Sequence, residues 1–244
     1  MKQTMIFLIM VMFFVGCSSS NSWGLMDLKY VDVNGSPKSI KETEYEAIKK
    51  FDEVIKQDVQ SVTCYELNEQ GLIQEMIIYD SDGVMFSSMT NKFENGKHIE
   101  TKLFHAYYGE ETHTLKERTS KSEIWEITMP DGKTAQRYCE IENLKLTTIF
   151  KDSDGNIVSK REEIKDKKGN TVEFKEYDEN EVARWYKATF NDKSQEIEKK
   201  VLSGSGEGIY TCKYDSFDKK GNWTKRINYK NGKIQSLVIR EITY

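Results

Sequence analysis

The chain has 244 residues, enough for one large domain or two small ones, and its 36 Lys and Arg against 40 Asp and Glu leave a formal net charge of −4. Acids and bases are interleaved along it, with no clustered basic face, which excludes a nucleic-acid footprint. Only 37% of residues are hydrophobic, so core-forming material is scarce, and 13 Tyr with 11 Phe offset part of that shortage.

At the start, Lys2 precedes an uninterrupted apolar run from Met5 to Val15. That is the layout of a secretory signal peptide, and the run is too short for a helix to cross a bilayer core of about 30 Å. Residues 1–16 are therefore predicted to be a signal peptide. Phe14-Val15-Gly16-Cys17 resembles a bacterial lipobox, with Phe14 where Leu is usual. The resemblance implies acylation of the Cys17 thiol, cleavage before it and attachment to the membrane through it. Ser18, standing where an Asp would mark inner-membrane retention, implies by the same resemblance an outer-membrane anchor in a bacterial cell envelope, facing the periplasm. Residues 17–24 read as a lipidated tether and 25–244 as a single β-repeat domain.

Residues 38–59 are open to two readings. Ile48, Phe51, Val54 and Ile55 have the spacing of one face of a short helix, yet Phe51-Asp52 equally suits the end of a strand and its turn. Pro37 bars a helix from crossing it.

From residue 68 onward polar turns recur, most of them 11 to 14 residues apart. Examples are Asp80-Ser81-Asp82-Gly83, Asp152-Ser153-Asp154-Gly155, Asp166-Lys167-Lys168-Gly169 and Asp218-Lys219-Lys220-Gly221. Asp, Asn and Gly supply the positive φ of tight turns, so these are predicted β-hairpins. Between them the chain alternates: Trp125, Ile127 and Met129 share a face opposite Ile124, Glu126 and Thr128, and Trp223, Lys225, Ile227 and Tyr229 a face opposite Thr224, Arg226 and Asn228. The fold class that follows is all-β, an antiparallel meander of repeated hairpins in an extended or rolled sheet, with one short N-terminal helix as an option. The beat is lost in residues 105–125 and 195–212, where loops or packing irregularities are predicted.

Tyr214-Asp215 through Gly221-Asn222-Trp223-Thr224, followed by Tyr229-Lys230-Asn231-Gly232, resembles the tyrosine-aspartate repeats of RHS-type proteins and the related MORN-variant β-repeats. The likeness covers roughly residues 60–244. It implies an elongated antiparallel sheet and brings no catalytic residues with it.

Candidate chemistry is sparse. Cys64, Cys139 and Cys212 all sit in strand-like segments, as buried small hydrophobes or with one disulfide among them. His98, His105 and His113 could gather as metal ligands, but a separation of seven puts His98 and His105 on opposite faces of an uninterrupted strand, so they are expected at the surface or in loops. The Asp80 and Asp152 turns lack the further ligands of a calcium loop. Trp23, Trp125, Trp185 and Trp223 could line a sugar-binding surface, although aromatics at period-two spacing fit the packed side of a sheet. No phosphate loop, nucleophile elbow or paired-carboxylate context stands out, so no enzyme, cofactor or metal site is expected. The expected function is a lipid-anchored, noncatalytic scaffold presenting its sheet to a protein or glycan. Alternatives are an immunity or antitoxin-like partner and a carbohydrate-active enzyme or glycan-binding module.

Overall fold

The computed structural model describes residues 33–51, 53–178, 181–204 and 206–244. The predicted signal peptide, the tether, Cys17 and Trp23 lie outside them. Sixteen strands follow in chain order: β1 (Ser39–Lys50), β2 (Glu53–Leu67), β3 (Ile73–Tyr79), β4 (Met85–Glu94), β5 (Lys97–His105), β6 (Gly109–Arg118), β7 (Ser122–Thr128) and β8 (Thr134–Glu142). The second half comprises β9 (Lys145–Lys151), β10 (Ile157–Lys165), β11 (Thr171–Asp178), β12 (Glu181–Phe190), β13 (Glu196–Ser203), β14 (Gly208–Phe217), β15 (Trp223–Lys230) and β16 (Lys233–Thr243).

Each strand pairs antiparallel with the next, as the meander reading anticipates, but the sheet is neither extended nor merely rolled. β16 pairs with β1 over Ser39↔Thr243 to Glu46↔Ser236, which closes a barrel. No helix occurs among the described residues. Residues 38–59 form most of the β1–β2 hairpin, because Phe51 takes the left-handed conformation (φ 56°) that reverses the chain. The weak-beat stretches 105–125 and 195–212 are largely strand as well, within β6, β7, β13 and β14.

The turns show why the Asp-x-x-Gly-Asn pattern repeats. At Asp218, the main chain exchanges hydrogen bonds with Gly221 and Asn222, and the Asp218 carboxylate accepts the N–H groups of Lys220 (2.8 Å) and Asn222 (2.9 Å). The Asp152 and Asp166 turns repeat this pattern. The carboxylates suspected of calcium chemistry thus cap their own turns.

Period-two alternation gives the barrel two walls. Inward side chains on a closed cylinder converge and cover one another, whereas outward ones splay apart. The covered set runs from Ile40 through Tyr65, Met76, Met89, Thr101, His113, Trp125, Arg137, Thr148 and Arg161 to Phe174, following the register from strand to strand. This inner wall holds the apolar clusters around Ile40, Met76 and Met89 and around Ile127, Ala135 and Phe150. On the outer wall, among the described residues, only Thr43, Ile227 and Leu237 form a comparably buried patch, on β1, β15 and β16.

Gly204 shows how tightly one connection is drawn. It has φ +95°, and a Cβ there would stand 2.7 Å from the Ala183 carbonyl oxygen on β12, whereas Gly83 has φ +76° and open space around it. Gly204→Ala is expected to lower unfolding free energy by about 2–4 kcal/mol, and Gly83→Ala by about 1 kcal/mol. Equal urea midpoints for the two variants would refute the close approach.

Candidate functional site on the inner wall

The sequence contains six arginines, at positions 118, 137, 161, 184, 226 and 240, and register places all of them on the inner wall. Five stack on aromatic rings: Arg137 on Trp125 (4.7 Å), Arg161 on Phe150 (5.0 Å), Arg184 on Phe174 and Tyr186 (6.0 Å each), and Arg226 (4.9 Å) and Arg240 (3.3 Å) on Trp223. A planar, weakly hydrated guanidinium suits such a place better than an ammonium. Carboxylates stand among them, in Arg118–Glu123 (2.7 Å), Arg161–Glu176 (2.8 Å) and Arg240–Glu42 (2.6 Å).

Polar contacts cross the wall from β8 to β3 in two hydrogen-bonded parts that meet where Arg137 stacks on Trp125. The Glu111 carboxylate accepts from His113 Nε2 (2.9 Å), and His113 Nδ1 accepts from Arg137 Nη1 (3.0 Å), which fixes His113 as the neutral Nε2–H tautomer. Glu123 accepts from Trp125 Nε1 (2.9 Å) and from Arg118 Nε, while Arg118 Nη2 donates to the His98 carbonyl (2.9 Å). The His98 ring lies 4.8 Å from Trp125 and donates through Nε2 to Thr101 Oγ1 (2.7 Å). Thr101 donates to Asn91 (2.7 Å), whose amide donates to the Ile73 carbonyl (3.0 Å).

Two of the three histidines are therefore buried in this network, contrary to the surface or loop placement expected for them. The parity argument fails because β5 carries an extra residue: Lys92 pairs with Glu100 but Phe93 with His98. That bulge turns His98 to the same face as Thr101, Leu103 and His105. His105 sits at the end of β5 against Phe86 and Tyr108. Among the described residues, no three His, Cys, Asp or Glu side chains converge to hold a metal ion. A bulge also turns Trp223 inward, away from Lys225, Ile227 and Tyr229, the face the sequence assigned it. Trp125 is likewise inward, while Trp185 is outward beside Lys175 and Lys187. Cys64, Cys139 and Cys212 are free thiols.

Sequence reasoning passed over Arg118, Arg137, Arg161 and Glu123, although a signal was present. In β8, Arg137 stands between Ala135 and Cys139 in the buried alternation, a place for a charge only if it is held.

Burial sets the protonation of the network. Loss of solvent pushes His98 down to about 3, helped by the charge of Arg137, and lowers His113 as well. Burial pushes Glu123 up against the pull of its Trp125 and Arg118 hydrogen bonds. Between pH 6.5 and 3 the unfolded chain takes up a proton at His98 that the fold refuses, so this contribution lowers stability as pH falls; Glu123 acts in the opposite direction. His98→Gln removes the penalty, and its stability deficit relative to the parent should shrink by about 2–3 kcal/mol between pH 7 and 4.5 in urea unfolding. A gap that stays constant across this window would count against the neutral, buried histidine.

No family model matches the chain, and no curated protein matches it. Solved structures do. A porin-like protein from Bacteroides uniformis is 13% identical with a TM-score of 0.50, covering 84% of this chain and 97% of its own. A porin-like protein from Bacteroides vulgatus is 10% identical with a TM-score of 0.33 over the same shares. The first likeness supports the barrel fold. The closed barrel overturns the expectation of a scaffold offering an open sheet to a protein or glycan, while the expected anchor at Cys17 lies outside the described residues. The immunity or antitoxin-like and the carbohydrate-active or glycan-binding alternatives give way with it to the porin-like barrel fold.

Proposed function

We propose that this chain is a noncatalytic, porin-like barrel of the bacterial envelope that handles small charged solutes along its inner wall, while its outer wall stands in water. The observation that carries this reading is the sorting of charge between the walls. Every strand places at least one Lys, Asp or Glu on its outer face by register, many of them in ion pairs. Glu162 takes both Lys145 (2.9 Å) and Lys160 (2.8 Å), Glu126 takes Lys116 (2.7 Å), and Asp215 takes Lys225 (2.9 Å).

A barrel in lipid needs an apolar outer band about 25 Å tall, and a Lys at the bilayer midplane costs roughly 2–4 kcal/mol. Repeated around sixteen strands, that cost outweighs a marginal folding free energy of about 5–15 kcal/mol. A polar and cationic inner surface is what a solute-handling barrel presents to its lumen, and Arg118, Arg184 and Arg226, half-buried on that wall, meet that description.

The outer wall can be interrogated with a bimane label on Thr112→Cys or Thr147→Cys, with Cys64 and Cys212 replaced by Ser, in membranes from cells making the full chain. Quenching by aqueous iodide and none by brominated acyl chains is expected. Quenching by brominated lipid at both sites would overturn the wet outer wall.

A further inference from the structure

Arg137 and Arg161 stand apart from the other inward arginines. They occupy β8 and β10, on either side of β9, where Phe150 pairs with Arg137 and Thr148 with Arg161. Alternate strands are about 9.5 Å apart; the Arg161 guanidinium lies over Phe150 of the intervening β9, while that of Arg137 stacks on Trp125, and the charge of Arg161 is felt at Arg137. Both residues are more than nine-tenths buried, at 2% and 6% exposure.

Their hydrogen bonding is incomplete. Arg161 gives Nε to Glu176, but its buried Nη2 has no acceptor among the described residues. Arg137 gives Nη1 to a neutral histidine, and its buried Nε has none. Among the described residues Arg137 forms no ion pair: Glu123, whose charge is felt at Arg137, is already committed to Arg118 and Trp125, and the further polar neighbour of Arg137 is the thiol of Cys139, which burial pushes toward its protonated form. Two desolvated cations, near enough for one charge to weigh on the other, thus share one carboxylate and leave N–H groups idle. Leaving a buried charged donor unmade costs more than an ordinary lost hydrogen bond.

We propose that Arg137 and Arg161 form a binding site for a small oxyanion, phosphate or sulfate in size, seated over Thr148 and Phe150 on the inner wall. A tetrahedral oxyanion accepts from several forked donors at once and supplies the negative charge the pair lacks. The site deepens the solute-handling reading, on which it rests. The bimane experiment concerns the outer wall only, so the two ideas fail separately.

The test titrates the full protein with inorganic phosphate, then sulfate, against chloride at equal ionic strength, following the thermal midpoint and the ¹⁵Nε–H signals of the arginines. Phosphate should raise the midpoint by several degrees once it reaches about a hundredfold its dissociation constant, and should shift the Arg137 and Arg161 signals selectively. Arg137→Gln and Arg161→Gln should each weaken binding at least about tenfold, with Arg137→Lys and Arg161→Lys as gentler variants should either Gln change impair folding. Lys102→Gln, on the outer wall, should leave binding unchanged. No midpoint or signal change in the parent protein would overturn the site and assign the idle N–H groups to water. A phosphate effect that spares these two arginine signals, or persists in the variants, would equally overturn it as an adventitious ion only. Competition by a phosphorylated or carboxylated small molecule, compared with free phosphate, would then show whether the anion arrives alone or as part of a larger solute.

Discussion

The pairing of β1 with β16 is the constraint from which the rest follows. Eight register pairs join segments at opposite ends of the described chain, and the Lys38 N–H to Thr243 carbonyl bond (2.7 Å) extends the seam. A second tie lies below it: Asn222 donates to the Asn34 carbonyl (3.0 Å), and the Tyr244 hydroxyl donates to Asp218 (2.6 Å). Left open, the sheet would expose two unpaired edges and lose the curvature that separates its walls. With closure, every second residue faces a concave surface and its neighbours become its shelter.

That shelter explains how a chain with so little hydrophobic material builds a covered interior. Long arginine side chains bury their carbon stems and aromatic faces beneath guanidinium planes, so charged residues supply much of the packing. The cost of desolvation is offset where a carboxylate is bonded to the same group, as at Glu42 and Arg240. Lysines are found mainly on the other wall, where a compact, strongly hydrated ammonium keeps its water. The division of labour between the two cations is physical, since one tolerates stacking and partial dehydration and the other does not.

Local features were the legible part of this sequence. The Asp-x-x-Gly turns announce hairpins because the Asp side chain and the Gly conformation act within five residues, and alternation around Trp125 places that strand correctly. What escaped was whatever depends on distant chain or on a one-residue insertion. Nothing in Ser39 to Glu46 names Ser236 to Thr243 as its partner, so closure could not be read. The bulges near His98 and Trp223 reverse parity without leaving a Gly or Pro to mark them. Phe51 holds a left-handed turn without glycine, which let helical spacing compete with the hairpin.

The separation of the walls has a consequence for how such a barrel changes over time. Inner and outer residues alternate along one chain but hardly touch, so substitutions at one parity leave the chemistry at the other nearly intact. Among the described residues, the ladders around Glu162 and Glu173 on the outside share no hydrogen bond with the contacts from His98 to Arg137 within. The chemistry of the outer surface and that of the inner one are written in two interleaved texts. Replacing the outer ion pairs by aliphatic side chains would suit the same barrel to lipid without rewriting its interior.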